Sequence, residues 1–304
     1  MKKTFLIMVV MSAMAVAASA QTTTDASAKY KAKEYTASGE MYDKALKGGK
    51  GTAFDHYNAA CSWALAGNRD KAFAHLQKAI EKGYTSVNHF QEDSDLSSLH
   101  SDKRWPILVE DLKRSVAAIE ANYNQPLKSK LESIYDADQQ VRREFMAARQ
   151  EHGAESAEVK QLIGQMQQTD AENQKEVIAI IESYGWPVRS MVGGKAQMAA
   201  FLVIQHAPLG VQEKYLPLMR KAAEEGEFEK RNLALLEDRV LVRNGQPQLY
   251  GTQISEEGGV SQVAPIADEA NVDKRRAAVG LPPLAEYLKS YGIKYELPSA
   301  TSKE

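Results

Sequence analysis

The sequence predicts a mainly α-helical protein, in which a helical repeat region precedes a helical domain that carries a small β-hairpin. Three observations predict this class. A 34-residue period relates residues 42–49 to residues 76–83, and apolar residues recur at three- and four-residue steps through residues 127–184. Asn244-Gly245 lies between two runs of strand-forming residues. The first two patterns are typical of packed helices, and the third is typical of a two-residue hairpin turn.

The chain begins with a pattern that is typical of a secretory signal peptide over residues 1–20. Lys2 and Lys3 precede an apolar run, and small residues follow it, so we expect cleavage after Ala20. The apolar run is too short for a transmembrane anchor. We therefore expect a periplasmic or secreted protein with no membrane anchor after cleavage. At the other end, residues 298–304 are predicted to be a disordered tail.

Charge and cysteine content narrow the classes of function. The 304-residue chain has a formal net charge of −2, and removing Lys2 and Lys3 leaves 36 basic against 40 acidic residues, a net −4. A weakly acidic chain without a basic stripe argues against a nucleic-acid partner. Cys61 is the only cysteine, which excludes an internal disulfide. Its small apolar neighbours favour buried packing over a reactive thiol.

Residues 21–125 contain the helical repeat. Within the 34-residue period Gly49 falls on Gly83, and this spacing resembles that of tetratricopeptide-like regions, in which helix pairs stack on one another. We predict one helix over residues 27–47, a helix pair over residues 54–82, and a further helix from Trp105. The resemblance implies that the region contacts a protein or peptide partner.

Asp93 and Asp95 lie close to His89 and allow two interpretations. The spacing matches no metal-ligand motif, whereas Asp and Ser residues commonly cap helices and form turns. We favour capping, and a metal site is the alternative.

Residues 126–297 form the second predicted domain, which opens with two long helices separated by Gly153. Three polar residues, Asp138, Asp170 and Asn173, interrupt the apolar stripes of these helices. If the helices form an antiparallel hairpin, the two carboxylates differ in height by only about 3 Å, and Arg142 lies one turn from Asp138. One interpretation is a buried network compensated by Arg142. The other is a carboxylate cluster that binds a metal or activates water.

His206 ends the most apolar helix of this domain, predicted over residues 195–206. A histidine at a helix C-terminus often binds the last carbonyl groups. The alternative is that His206 is a general base or a metal ligand, because it is the last residue of a helix that is predicted to be buried.

The predicted β-hairpin spans residues 239–253, with Asn244-Gly245 at its turn. Arg239 and Tyr250 then share one face, whereas Asp238 and Gln253 lie at the open end of the other. Residues 255–262 are predicted to form a polar surface loop, or alternatively a flexible cover over the open end.

Several short motifs of this half together resemble DUF6624, a bacterial domain family of unknown function. The resemblance covers about residues 127–291 and implies a mostly helical fold with a small hairpin, but no activity. The motifs are Asp138-Gln139 with Arg142, Gly185-Trp186-Pro187, Gln205-His206-Ala207, Asp238-Arg239-Val240, Gln248-x-Tyr250-Gly251-Thr252-Gln253, and Arg276 with Gly280-Leu281-Pro282.

Two functions follow from these residues, and the sequence does not decide whether the protein is an enzyme. The first is protein interaction or ligand binding; the alternative is a metal-assisted or acid/base hydrolase. No common hydrolase motif is present, which favours the first. No cofactor is predicted, and a divalent metal held by Asp138, Asp170 and His206 is the alternative. The candidates for acid/base catalysis are His206, Asp238 and Asp170, and those for ligand binding are Asp138, Arg142, Asn173, Arg239, Tyr250 and Gln253.

Overall fold

The computed structural model describes residues 23–257 and 260–296, which form two compact units divided between Ala121 and Asn122. The described residues are mainly helical with one small antiparallel hairpin, which confirms the predicted fold class. Among them, no helix combines the length and the apolar character needed to cross a membrane. The predicted signal peptide and the predicted tail from residue 298 lie outside the described residues.

The N-terminal unit is built from short helices. They are α1 (23–31), α2 (Tyr35–Ala45), α3 (Ala53–Leu65), α4 (Arg69–Glu81), α5 (Val87–Glu92), a 3₁₀ helix (Ser94–Leu99) and α6 (Arg104–Glu120). The predicted pair over residues 54–82 is α3 and α4, and Gly67 supplies the left-handed turn between them at φ 80°. The single helix predicted over residues 27–47 is wrong. It is broken near Lys33, which has φ 61° and so cannot continue a right-handed helix.

The core of this unit lies between α3, α4 and the segments that follow them. Cys61 on α3 is 4% exposed, as the packing interpretation predicted. Trp105 and Leu108 of α6 also join the core. α2 packs on α3 through Gly39, which is buried beneath the indole ring of Trp63.

Replacement of Gly39 by alanine is expected to destabilise the N-terminal unit by about 1–3 kcal/mol, because the new Cβ would overpack the core. That Cβ would lie 2.5 Å from Cε2 of Trp63, and the indole is held by its Nε1–H bond to Asp43. Gly164→Ala, in the helix Ala157–Tyr184 of the C-terminal unit, is the control, since a Cβ there meets nothing within 4 Å and should stabilise its helix by up to about 1 kcal/mol. Chemical denaturation measures both, and a neutral Gly39→Ala would contradict the packing.

The C-terminal unit starts with a long helical hairpin and ends with a small sheet and two short helices. Its elements are α7 (Gln125–His152), α8 (Ala157–Tyr184), α9 (Arg189–Val192), α10 (Gly194–His206), α11 (Leu209–Glu224), α12 (Lys230–Arg243), β1 (Ile254–Glu257), β2 (Val260–Val263), a 3₁₀ helix (Glu269–Asn271), α13 (Val272–Ala278) and α14 (Leu284–Lys289). α7 ends at Gly153, with φ 81°. Ion pairs that join Lys130 to Glu176 and His152 to Glu158 show that α7 and α8 run antiparallel.

Helix α10 is the centre of this unit. It packs against α7, α8 and α11, and its buried residues include Ala196, Ala200, Phe201 and Ile204. The base of the α7–α8 hairpin and the apolar face of α12 complete the same core. The C-terminal end of α10 lies beside α7, α8 and α12, and polar side chains of these helices meet there.

The hairpin predicted over residues 239–253 is wrong, because α12 continues to Arg243. Asn244-Gly245 forms the C-terminal cap of this helix rather than a strand turn. The N–H of Gln246 donates to the carbonyl of Leu241 at 2.9 Å, and the N–H of Gly245 donates to Val242 at 3.0 Å. This is the Schellman pattern, in which glycine adopts the left-handed conformation.

The burial pattern of α12 explains the error. Ala234, Leu236, Asp238 and Val240 are buried, so every second residue points inward. Two residues turn a helix by about 200°, so a helix that is covered on opposite sides shows the same period of two as a strand. Leu236 and Val240 join the core, whereas Asp238 binds the loop over residues 246–253.

The β-hairpin lies instead where a polar loop was predicted. β1 pairs antiparallel with β2, with Ile254 opposite Val263. Ile254 and Val263 pack against the apolar cluster of α13 and α14.

Candidate functional site

Three helices bring Asp138, Asp170 and His206 together in the C-terminal unit. Asp138 lies on α7, Asp170 on α8 and His206 at the end of α10, and one ligand atom from each lies within 4.8 Å of the others. The antiparallel hairpin places the two carboxylates at the same height, as the count from Gly153 predicted. We call these three residues with Arg142 the Arg142 cluster.

The guanidinium group of Arg142 lies at the centre of this cluster. Its Nη2 lies 3.0 Å from Oδ1 of Asp138, 2.7 Å from Oδ1 of Asp170 and 2.8 Å from Nδ1 of His206. Its Nε also donates to both oxygens of Asp138, at 3.2 Å. One arginine therefore binds all three candidate metal ligands at once.

These contacts define the state of His206. Since Nη2 of Arg142 can only donate, Nδ1 of His206 accepts, and the neutral ring then carries its proton on Nε2. Burial, followed by the charge of Arg142, lowers the pKa of His206 to about 4. His206 is therefore neutral at pH 7, and its basic nitrogen is already occupied by an arginine.

The two carboxylates differ in environment. The side chain of Asp138 is 3% exposed, and it also accepts a hydrogen bond from Nε2 of Gln139 at 2.7 Å. The side chain of Asp170 is 35% exposed, and partial burial raises its pKa. Asn173, one turn along α8, is buried, and its Nδ2 has no hydrogen-bond partner among the described residues. Asp170 is thus the member of the pair that solvent reaches.

Two further arginines approach the end of α10 from α12. Nη1 of Arg239 donates to the carbonyl of Gln205 at 3.1 Å, and Nη1 of Arg243 donates to the carbonyl of Ala207 at 3.0 Å. Arg243 was not predicted as a site residue. The one-turn spacing of Arg239 and Arg243 would have identified it only if the segment had been assigned as a helix.

Unsatisfied polar atoms surround the same end of α10. Oε1 of Gln205, Oε1 of Gln212 and Nε of Arg239 are buried without a hydrogen-bond partner among the described residues. Nε2 of Gln212 and Nη1 of Arg239 both donate to the carbonyl of Gln205, which places these groups beside one another. Buried polar groups are normally paired, so this region retains unused capacity for hydrogen bonds.

The structure does not bring Asp238 into the Arg142 cluster. Asp238 is fully buried, and its carboxylate accepts backbone N–H groups of Leu249, Tyr250 and Thr252 at 2.7–3.0 Å. It also accepts the hydroxyl of Thr252 at 2.9 Å. Asp238 therefore anchors the loop over residues 246–253 to α12, and these contacts leave it no open position for acid or base chemistry.

Tyr250 and Gln253 belong to the same anchored loop. The hydroxyl of Tyr250 lies 3.5 Å from Oε2 of Glu237, and Nε2 of Gln253 donates to the carbonyl of Leu235 at 3.3 Å. Both side chains hold the loop on α12 rather than joining the Arg142 cluster. The structure thus places most of the predicted site residues in two groups. One is the Arg142 cluster, and the other, here called the loop anchor, consists of Asp238, Tyr250 and Gln253, which hold the loop over residues 246–253.

Arg276 completes the loop anchor. It is fully buried and donates to the carbonyl groups of Tyr250 and Pro282 at 2.5 Å and 2.6 Å. The backbone of Tyr250 therefore lies between two buried opposite charges, Asp238 on its N–H side and Arg276 on its carbonyl side.

A second carboxylate group lies in the N-terminal unit. Cys61, Asp93 and Asp95 each offer a ligand atom within 4.8 Å of the others. Asp93 accepts the N–H of Asp95 at the start of the 3₁₀ helix, and it also accepts the hydroxyl of Tyr57 at 2.8 Å. Capping, as favoured from the sequence, therefore describes what Asp93 does.

Comparison with known proteins gives one match. No curated protein and no solved structure matches the chain. A family model described as a family of unknown function, DUF6624, matches residues 125–298, which contain the Arg142 cluster and the loop anchor. The tetratricopeptide-like character of the N-terminal unit remains a prediction, because the match does not extend to it. The match covers more than half of the sequence, and the chain therefore belongs to the DUF6624 family.

Proposed function

We propose that this protein is a binding protein whose C-terminal domain holds an anionic ligand beside His206. One observation carries the proposal. Among the residues that the structure describes, neither Arg239 nor Arg243 has a carboxylate partner, although both reach the end of α10. The remaining N–H groups of these arginines are free for a ligand.

The charges around His206 favour an anion. Arg142 is balanced by Asp138 and Asp170, whereas Arg239 and Arg243 lie one turn apart and repel each other. Burial and the neighbouring charge of Arg243 lower the pKa of Arg239. The carbonyl groups at the end of α10 offset part of this repulsion through the helix dipole. A bound anion would remove the rest.

The donor geometry supports a carboxylate or a phosphate group as the ligand. The planar guanidinium group presents N–H pairs that match either oxyanion. Nε of Arg239 is a buried donor without an acceptor in the described part of the chain. His206, with its proton on Nε2, adds a neutral donor to the same region.

The proposal predicts that inorganic phosphate or acetate raises the melting temperature of the full chain, because a ligand stabilises the state that binds it. Each anion is added at constant ionic strength against chloride. The double variant Arg239→Gln, Arg243→Gln should lose this shift, and the binding constant should weaken at least tenfold. A larger shift with phosphate than with acetate, or the reverse, identifies the oxyanion.

Arg231→Gln is the matched control, because Arg231 is an exposed arginine on the same helix. It should retain the full shift. If the double variant responds to phosphate and acetate as strongly as the wild type, the anion acts elsewhere on the protein and the proposal fails.

For the N-terminal unit we propose contact with a protein or peptide partner, which is supported by the packing of α3 against α2 and α4 and by the 34-residue spacing of the sequence. Secretion to the periplasm or beyond is proposed on the basis of the signal-like sequence at residues 1–20. Both proposals concern the whole protein and stand apart from the anion site.

A metal-assisted hydrolase is the second candidate, because Asp138, Asp170 and His206 converge within 4.8 Å. Arg142 weighs against it, since its guanidinium group already compensates the carboxylates and binds Nδ1 of His206. A metal at this position requires Arg142 to move away. Zn²⁺-dependent melting that is abolished by Asp170→Asn would favour this candidate over the anion site.

A further inference from the structure

Two histidines face each other in the N-terminal unit, which the proposed anion site does not involve. His56 lies on α3 and His75 on α4, and their Nδ1 atoms are 3.1 Å apart. The ring centroids are 5.3 Å apart, so the two Nδ1 atoms lie on the facing edges of the rings. His56 is 4% exposed, and the side chain of His75 is 14% exposed.

The outer nitrogens of both rings are committed as donors. Nε2 of His75 lies 2.8 Å from Oδ1 of Asp43, and Nε2 of His56 lies 3.3 Å from the carbonyl oxygen of Lys50. The carboxylate of Asp43 also accepts hydrogen bonds from the ammonium group of Lys71 at 2.8 Å and from the indole N–H of Trp63 at 3.0 Å. The partners of the two Nε2 atoms, a carboxylate and a backbone carbonyl, can only accept.

The hydrogen bonds donated by the two Nε2 atoms leave a lone pair on Nδ1 of each ring. A neutral imidazole carries one proton, and here each ring needs that proton on Nε2. The two Nδ1 atoms then face each other as two acceptors. Such a contact is repulsive unless a cation lies between or beside the nitrogens, and the cation can be a proton or a metal ion.

The distance suits two ligands of one metal ion. Zn²⁺–imidazole bonds are 2.0–2.1 Å long, so neighbouring nitrogens around one ion lie roughly 2.9–3.4 Å apart. Metal-binding histidines also donate their outer N–H to a carboxylate or a backbone carbonyl. His75 with Asp43 and His56 with Lys50 show both arrangements.

We propose that a divalent transition-metal ion such as Zn²⁺ or Cu²⁺ binds to Nδ1 of His56 and Nδ1 of His75. A small rotation of each ring directs the lone pairs to an ion beside the line that joins the nitrogens. Water completes the coordination from the side on which His75 is exposed. With two protein ligands the site binds metal reversibly and joins α3 to α4.

The test uses the full chain carrying His206→Gln, so that the Arg142 cluster does not contribute a histidine ligand. Calorimetric titration with ZnCl₂ should give one equivalent of bound ion per chain. His56→Gln and His75→Gln should each weaken binding at least tenfold, and Asp43→Asn should weaken it about 10–100-fold through the outer hydrogen bond. His89→Gln, whose side chain is 61% exposed, is the matched control and should bind as the parent does.

Nitrogen-15 spectra of the histidine rings provide a readout that does not depend on the variants folding. Addition of ZnCl₂ should shift Nδ1 of His56 and His75 and leave Nε2 protonated on both rings. If Zn²⁺ leaves both Nδ1 signals unchanged, and they respond only to acid, the pair shares a proton and the proposal is wrong. Zn²⁺ binding that is lost with His206→Gln but retained in His56→Gln would also overturn it.

Discussion

Replacement of Asp238 by alanine is expected to lower the free energy of unfolding of the C-terminal unit by about 3–5 kcal/mol, the range for breaking a buried charged network. The change leaves the backbone N–H groups of Leu249, Tyr250 and Thr252 without their acceptor, inside the protein. It also removes one of the two carboxylates, Asp238 and Asp273, whose charges act on the buried guanidinium group of Arg276. Each unsatisfied buried donor carries a desolvation cost of its own.

Chemical denaturation of the full chain measures this effect, with the two units followed as separate transitions. Asp136→Ala is the control, because the carboxylate of Asp136 is 65% exposed and pairs with Lys195 on the surface. Exposed pairs contribute at most about 1 kcal/mol. An equal effect of the two substitutions would show that Asp238 does not anchor the loop.

Replacement of Arg142 by glutamine is expected to destabilise the C-terminal unit by about 3 kcal/mol, since it leaves Asp138 buried without its cation. This value lies at the low end of the range of about 3–5 kcal/mol for breaking a buried ion pair, because the side chain of Arg142 is 23% exposed. The same substitution should raise the pKa of His206 above its value of about 4, because the charge of Arg142 contributes to the lowering. Burial remains in the variant, so the pKa should stay below that of a free histidine.

The sign of the pH dependence follows from the lowered pKa of His206. Between about pH 6.5 and about pH 4 the unfolded chain binds a proton at this residue that the folded chain does not bind. The contribution of His206 therefore favours folding above about pH 6.5 and is lost as the pH falls to about 4. In Arg142→Gln the pH range over which this stabilisation is lost should become narrower, because the raised pKa of His206 moves the acid end of the range upward.

Titration of His206 by NMR spectroscopy measures the pKa, and denaturation at several pH values measures the stability. Arg142→Lys is the control, because it keeps the positive charge but cannot reach three acceptors at once. It should keep the pKa of His206 low while losing part of the stability. A pKa of His206 that does not change in Arg142→Gln would contradict the assigned contact.

The long helices and the main polar cluster could be predicted from the sequence because both depend on local periodicity. Apolar residues at three- and four-residue steps identified α7 and α8, and the count from Gly153 placed Asp138 opposite Asp170. Arg142 followed from its position one turn further along α7. Polar residues in an apolar stripe were a sound indication of a buried network.

The hairpin failed because two local signals had another cause. The run of strand-forming residues before Asn244 lies on a helix that is covered on opposite sides, and Asn244-Gly245 caps that helix. No property of the segment alone distinguishes these causes. Asp238 and Arg239 were consequently assigned to a strand end, and Arg243 was missed.

The sequence by itself determined the helical class and the pairing of Asp138 with Asp170, since each follows from spacing along one helix or one helical hairpin. Only the tertiary structure decided which groups meet across elements. It placed Arg142 among three acceptors, committed Asp238 to a loop, and brought Arg239 and Arg243 to the end of α10. The same holds for His56 and His75, whose facing nitrogens depend on how α3 packs on α4. Contacts of this kind depend on distances between distant parts of the chain, and local periodicity carries no information about them.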